Sequence, residues 1–342
     1  MLKHLPQAWL YLILLLMNLV FLCGYPLAWS TAKLTMLFKK GSCSDCNNYR
    51  EISVINSFAK IYDYILNQRL INWFKPCREQ AGAQPKRGCL ELILTVRLLI
   101  SFCMKRKKKL FIVFVDFSKA YDRVPRGKLF FLLKIFGCGA IMLHAIISMY
   151  NVTTCLLGST TINTFIGVRQ GSPTSCFLFI LYVDMLIRSI KNNVEDDSFL
   201  KWLHILMLMD DTVIFASSRE RLLRKLEYLN EFCVEYGMII NEKKTKIMVV
   251  NGDDTNRLPI HLGDVCIRHC TDYVYLGSII TEDGKLSSSI LEHALKQFLY
   301  QWTQKNRLCF IKFDFLPIFC LPGLVPNSEL TRSRGLGNTR EK

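Results

Sequence analysis

Apolar positions recur along the chain in three rhythms. The first is continuous. Ala8 to Cys23 is almost wholly apolar, with Lys3 and His4 ahead of it and Gly24 and Pro26 behind. That run predicts either a helix buried on all sides or the apolar stretch of a signal peptide or short membrane span, although Asn18 interrupts it. The second rhythm is helical. Ile55, Phe58, Ile61, Tyr62, Ile65, Leu66 and Leu70 share one face of a helix predicted over Ile52 to Phe74. The same spacing predicts helices over Leu90–Met104, Gly127–Phe136, Ile141–Tyr150, Phe177–Ile190 and Glu220–Tyr236, the last capped by Gly237. The third rhythm is that of strands: Ser30–Phe38, Leu110–Val115, Ile247–Val250, a hairpin within Cys155–Val168 turning at Gly158-Ser159, and a short strand pair within 259–280. Polar stretches at 39–50, Glu79–Gly88 and 191–200 read as loops. Past about residue 300 the pattern decays into aromatic and Pro-containing sequence with a basic tail, and no internal repeat is found.

One stretch breaks its own rhythm. Leu203 to Ser217 reads LHILMLMDDTVIFAS, in which Asp210 and Asp211 interrupt what would otherwise be one buried strand. A continuous strand would send the two acids to opposite faces. A tight turn there makes a hairpin with carboxylates at its tip. Buried carboxylates need a partner, most simply a divalent cation; an ordinary Asp-rich turn is the plainer alternative. Asp116 is similar, an acid at the end of the apolar strand LFIVFV.

Composition narrows the chemistry. With 51% hydrophobic residues, the 342-residue chain can bury a sizeable core. Its 44 Lys and Arg against 28 acids give a net charge of +16, including the run Lys105 to Lys109. Such a balance points to polyanions, nucleic acid first and an acidic membrane surface second. The 14 cysteines follow no disulfide spacing, and Cys43 and Cys46 form a lone CxxC, so scattered thiols in a reducing compartment are expected.

Taken in order, several blocks resemble a known family. FVDFSKAYDRV (114–124), GVRQGSPTSCFLFILYVD (167–184), LMDDTVIFA (208–216), GMIINEKKTKIMVVN (237–251) and YVYLGS (273–278) resemble motifs A to E of reverse transcriptases in the style of non-LTR (LINE-like) retrotransposons. NNYREISVINSFAKIYDYILNQRL (47–70) and EQAGAQPKRGC (79–89) are similar to the fingers motifs that precede them. The resemblance implies an α+β right-hand polymerase, with a fingers–palm core, an antiparallel palm sheet and a partial helical thumb. It implies fingers over 1–110, including the N-terminal helix, a palm over 111–280, and over 281–342 a partial thumb and an unrelated or disordered tail, as in a truncated copy. Pro26 and Trp29 match the segment that follows a hydrophobic fingers helix, which favours a buried helix for residues 8–23.

The implied activity is RNA-directed DNA polymerisation by two-metal nucleotidyl transfer. The cofactors would be two Mg2+ ions, or Mn2+, and the partners an RNA template, a DNA primer and deoxynucleoside triphosphates. Asp116 and Asp210 would hold metal together with the carbonyl of Phe117, and Asp211 would stand beside them. Tyr121 would be the steric gate beneath the incoming sugar. Arg169, Gln170 and Gly171 would form the nucleotide-contacting turn, Lys244 would protonate pyrophosphate, and Leu276-Gly277 would be the primer grip. Leu208 and Ala83 stand where the family commonly carries aromatics. The alternatives are an inactive remnant that at most binds RNA and, from residues 8–23 alone, a membrane-anchored or secreted protein. A nuclear or cytoplasmic location suits the substrates, with no stable membrane association.

Overall fold

The computed structural model describes residues 5–285, apart from 40, 194–196, 198 and 202. The tail and partial thumb expected beyond 285 lie outside the described residues. In chain order come α1 (Gln7–Cys23), β1 (Thr31–Phe38), β2 (Tyr49–Val54), α2 (Ser57–Trp73), α3 (Cys89–Arg106), β3 (Leu110–Val115), α4 (Arg126–Ile135), α5 (Ala140–Asn151), β4 (Thr154–Leu157) and β5 (Thr160–Asn163). Then follow α6 (Pro173–Asn193), β6 (Ile205–Leu208), β7 (Asp211–Ala216), α7 (Arg219–Tyr236), β8 (Lys246–Val250), β9 (Ile260–Leu262), β10 (Val265–His269), β11 (Asp272–Tyr275) and β12 (Ser278–Thr281).

A six-stranded sheet in the order β6-β7-β3-β8-β10-β9 organises the molecule. β3 has no polar alternation because both of its faces are buried. Phe111, Val113 and Val115 join the core built with α6 and α7, whereas Leu110, Ile112 and Phe114 join a second core with residues of α3. The expectation of an antiparallel sheet needs one correction: β10 runs parallel to β8. The segment between them holds β9, which runs antiparallel to β10, so the chain re-enters the sheet in the direction of β8. Residues 259–280 accordingly contain two strand pairs rather than one, the second being the separate β11–β12 hairpin.

A second sheet, β2-β1-β4-β5, joins the N-terminal third to residues 154–163. It also corrects a helix boundary. Tyr49–Val54 is strand, paired with β1, and α2 begins only at Ser57. Asn56 is the reason, since its side chain accepts the Phe58 N–H at 2.8 Å and caps the helix.

The helix over residues 8–23 exists, but it is not buried all round. Met17 and Val20 are buried while Trp9, Leu12, Leu15, Leu19 and Leu22 are exposed. The helix rests one narrow stripe on its neighbours, and no described element covers the opposite face. The helix of the core is α6 instead. By length and composition alone α6 could cross a membrane, but 72% of its apolar stretch is buried inside the protein.

Candidate active site

The strand ends set the site. Antiparallel pairing of β3 with β7 places Val115 opposite Thr212, so Asp116 and Asp211 emerge at the same end of neighbouring strands. β6 pairs with β7 up to Leu208 opposite Asp211, leaving Met209-Asp210 as a two-residue turn. The hairpin foreseen from LMDD is therefore present, but its turn falls one residue earlier than Asp210-Asp211, so Asp210 stands in the turn and Asp211 begins β7. The base of the hairpin is held from below by buried Lys225, which donates to the Phe215 carbonyl at 2.6 Å and pairs with buried Asp197 at 3.3 Å.

Asp116 is fixed by its main chain. Its N–H donates to Thr245 Oγ1 at 3.2 Å, and its carbonyl accepts from Asn241 N at 2.8 Å. One residue on, Phe117 bridges to Ile240, and Ser118 N donates to the Ile239 carbonyl at 2.8 Å. The chain after α7 thus doubles back beside Asp116 and delivers Lys244, whose Nζ lies 3.4 Å from Asp116 Oδ1. The ammonium is exposed, so the pair carries little stability; its interest is its position.

Three carboxylates near one another cannot all ionise freely. Burial pushes the Asp210 carboxyl up and Asp116 adds to the rise, while Arg50 and Lys244 oppose it. Asp211 has an exposed surface, yet desolvation from the packing around it, with Asp210 and Asp116, pushes it up to about 6. A folded value above the unfolded one stabilises the fold below the unfolded value, and that contribution is lost as pH rises through about 6. At neutral pH the cluster therefore strains the fold, and a divalent cation held there would relieve it. Mg2+ is expected to raise the melting midpoint at pH 7.5 and to have little effect at pH 5, as read by thermal denaturation. An equal rise at both values would place the ion elsewhere.

Among the described residues no group of three or more His, Cys, Asp or Glu side chains is placed to hold a metal ion. An open set of carboxylates and a main-chain carbonyl is what Mg2+ uses when substrate phosphates supply the remaining oxygens. Asp116, Asp210 and the Phe117 carbonyl would hold such ions, with Asp211 alongside.

The other sequence-derived residues divide. Tyr121 lies beside the acids, its ring stacked on Phe179 with centroids 4.4 Å apart. Burial raises its hydroxyl, and nearby Cys176 and Asp210 raise it further. The Gln170 amide donates to Asp122 Oδ1 at 3.0 Å, and its carbonyl accepts from Ser53 N at 2.8 Å. Arg169 turns inward: it is buried, donates to the Met149 carbonyl at 3.0 Å, and lies against the rings of Tyr25 and Tyr150. Its side chain builds the interior and does not reach the acids. Gly171 has φ +104, and a Cβ there would stand 2.8 Å from the Ser53 carbonyl. Gly171→Ala is expected to cost roughly 2–4 kcal/mol through strain and overpacking, measured by chemical denaturation. Leu276 and Gly277 form the β11–β12 turn, both with positive φ. That hairpin reaches the acids through Tyr273, stacked on Phe114 at 4.3 Å.

Sequence patterns alone missed three contributors. Arg50 carries no signal of its own in the sequence, yet β2 brings it within electrostatic reach of Asp210 and Tyr121. Thr245 and Gln80 bond to main-chain atoms 129 positions away, which no local spacing reveals. Gln80 holds the turn itself: its amide bonds Met209 N at 2.9 Å and the Met209 carbonyl at 3.1 Å.

A largely antiparallel sheet with acids at one end, helices packed on both faces and a turn-bearing hairpin beyond them defines an α+β polymerase core. The chain belongs to the reverse transcriptase (RNA-dependent DNA polymerase) family, whose pattern matches residues 38–280. It is similar to the Pol polyprotein of the type-2 retrotransposable element R2DM of Drosophila melanogaster, with 24% identity covering 80% of this chain and 27% of that protein. It is also similar to the RNA-directed DNA polymerase of the mobile element jockey from the same organism, with 27% identity covering 84% of this chain and 32% of that one. The chain thus spans about a third or less of these relatives. Among solved structures, apo telomerase from Candida tropicalis shares the fold, with a TM-score of 0.52 and 16% identity over 77% of this chain and 49% of that one.

Proposed function

We propose that this site copies an RNA template into DNA by adding deoxynucleotides to a primer 3′ end. The observation that supports it best is the meeting of Asp116, Asp210 and Asp211 at one end of the β3–β7 pair, where Asp210 and Asp211 are held above their ordinary carboxylate range. A pair of divalent ions, Mg2+ or Mn2+, would supply charge neutralisation to the attacking oxygen and the leaving phosphates. The protein's own residues do the rest. Asp116 and Asp210 fix the position of that charge. Tyr121, stiffened by Phe179, closes the space beneath the sugar. Gln170, tied to Asp122, sets the turn beside the nucleotide. Lys244 stands where an ammonium can hand a proton to departing pyrophosphate. The β11–β12 turn, Leu276-Gly277, steadies the primer.

In this reading residues up to about 110 act as fingers and 111–280 as palm, although the four-stranded sheet carries β4 and β5 across that boundary to the fingers side. The net charge of +16 supplies phosphate contacts, so nucleic-acid binding weakens steeply with salt. The test is Mg2+-dependent extension of a DNA primer on an RNA template by purified protein. Folded protein that binds both strands and adds no nucleotide with Mg2+ or Mn2+ would instead be a binding-only remnant.

A further inference from the structure

The turn that carries Asp210 holds a conformation its sequence does not favour. Met209 has φ +60, a region that disfavours any residue with a Cβ. Two-residue hairpin turns of this class usually place glycine there. A disfavoured backbone persists where its surroundings over-determine it, and here the surroundings are one side chain. Gln80 has no exposed surface. Its amide oxygen accepts from Met209 N at 2.9 Å and from Gly82 N at 2.8 Å, while its amide nitrogen donates to the Met209 carbonyl at 3.1 Å. Both main-chain polar groups of the strained residue are thereby satisfied by a single planar group.

The flanking main chain holds that amide in place. Met207 N donates to the Glu79 carbonyl at 2.9 Å, and Ala81 N donates to the Met207 carbonyl at 2.8 Å, so the segment lies along the otherwise open edge of β6. Glu79 is anchored to Lys191 of α6 at 2.8 Å. A Cβ on Gly82 would stand 2.3 Å from Met209 Sδ and 2.7 Å from Met209 N, so the close approach needs glycine. The contact also specifies its chemistry. A carboxylate offers acceptors and no donor, and an apolar side chain offers neither.

We propose that Gln80 is a positioning residue of the polymerase site, holding the Met209-Asp210 turn in its strained form and thereby setting where the Asp210 and Asp211 carboxylates stand. Its effect on turnover rests on the polymerase reading; its effect on the turn does not.

The test compares wild type with Gln80→Ala and Gln80→Glu, the second keeping the shape should the first fail to fold. Leu262→Ala, in the core at β9 on the opposite edge of the sheet, controls for general loss of stability. Three quantities are read on the full chain: hydrogen exchange across 205–216, Mn2+ binding by electron paramagnetic resonance, and extension kinetics over a Mg2+ series. Gln80 variants are expected to lose protection across 205–216 and to bind Mn2+ about ten- to a hundredfold more weakly. Their kcat should fall by a similar factor and their Mg2+ requirement should rise, with little change in the nucleotide KM. Leu262→Ala should show none of these changes. Unchanged protection and unchanged Mn2+ affinity in the Gln80 variants would overturn the proposal. If wild type itself extends no primer, the polymerase reading falls alone, and the exchange and Mn2+ measurements still decide the role of Gln80.

Discussion

Primer extension is expected to stop when Asp116 or Asp210 becomes Asn. Each substitution keeps the shape of the side chain and removes one charge from the place where metal and phosphate charge must be balanced. Phosphoryl transfer draws most of its acceleration from such electrostatic positioning. The loss of one ligand should therefore raise the barrier by about 4 kcal/mol or more, a rate loss of roughly a thousandfold. The fold should not suffer. Asp210 is held above its ordinary range by burial and by repulsion from Asp116, and Asp211 by burial and by repulsion from Asp210 and Asp116, so Asp210→Asn removes an unfavourable charge. Its melting midpoint in the absence of divalent ion should equal or exceed that of wild type, and nucleic-acid binding should be largely kept. A dead variant that also unfolds would point to a structural role for the acid, and one that extends primers normally would move the chemistry elsewhere.

Tyr121→Ala is expected to admit ribonucleotides. The ring lies beside Asp210 and is pinned flat against Phe179, which leaves it little freedom to move away from a sugar placed on the metal-facing side. Forcing a 2′-hydroxyl against a packed ring costs about 1–3 kcal/mol, so removing the ring should relax discrimination roughly ten- to a hundredfold. The ratio of kcat/KM for the two nucleotides on one template reads this directly. A cavity beside Phe179 will also lower stability, and the ratio separates the two effects because lost stability reduces both nucleotides alike. Full discrimination retained by a folded variant would assign Tyr121 to the core alone.

Much of this site can be read in the chain because its signals are local. Asp116 follows six apolar residues, Asp210-Asp211 interrupts a second apolar run, and Gly237 closes an amphipathic helix; each is visible within one window. The misread stretches are those where a distant partner overrides the local pattern. Ile52 fits the apolar face of the following helix, yet Tyr49–Val54 is strand because β1 is there to pair with it. The apolar residues of α1 suggested burial on every side, but how many neighbours a helix receives is a property of the whole fold. Arg169 lies within the turn expected to contact the nucleotide, and the direction of its side chain is set by the Met149 carbonyl and two tyrosine rings, none of them adjacent in sequence. Gln80 has no local signal at all.

The sheet order also bears on synthesis. β3 is central, yet both of its neighbours, β7 and β8, come later in the chain. On the ribosome LFIVFV must wait about a hundred residues for its first partner, roughly 5–20 s at ordinary elongation rates. During that interval a six-residue apolar, β-prone segment stands with both edges open, the kind of sequence that pairs with copies of itself. A nascent chain halted between Asp116 and Asp210 would thus hold a wholly apolar strand without its sheet partners, and a chaperone, not the fold, would have to keep it apart from its neighbours.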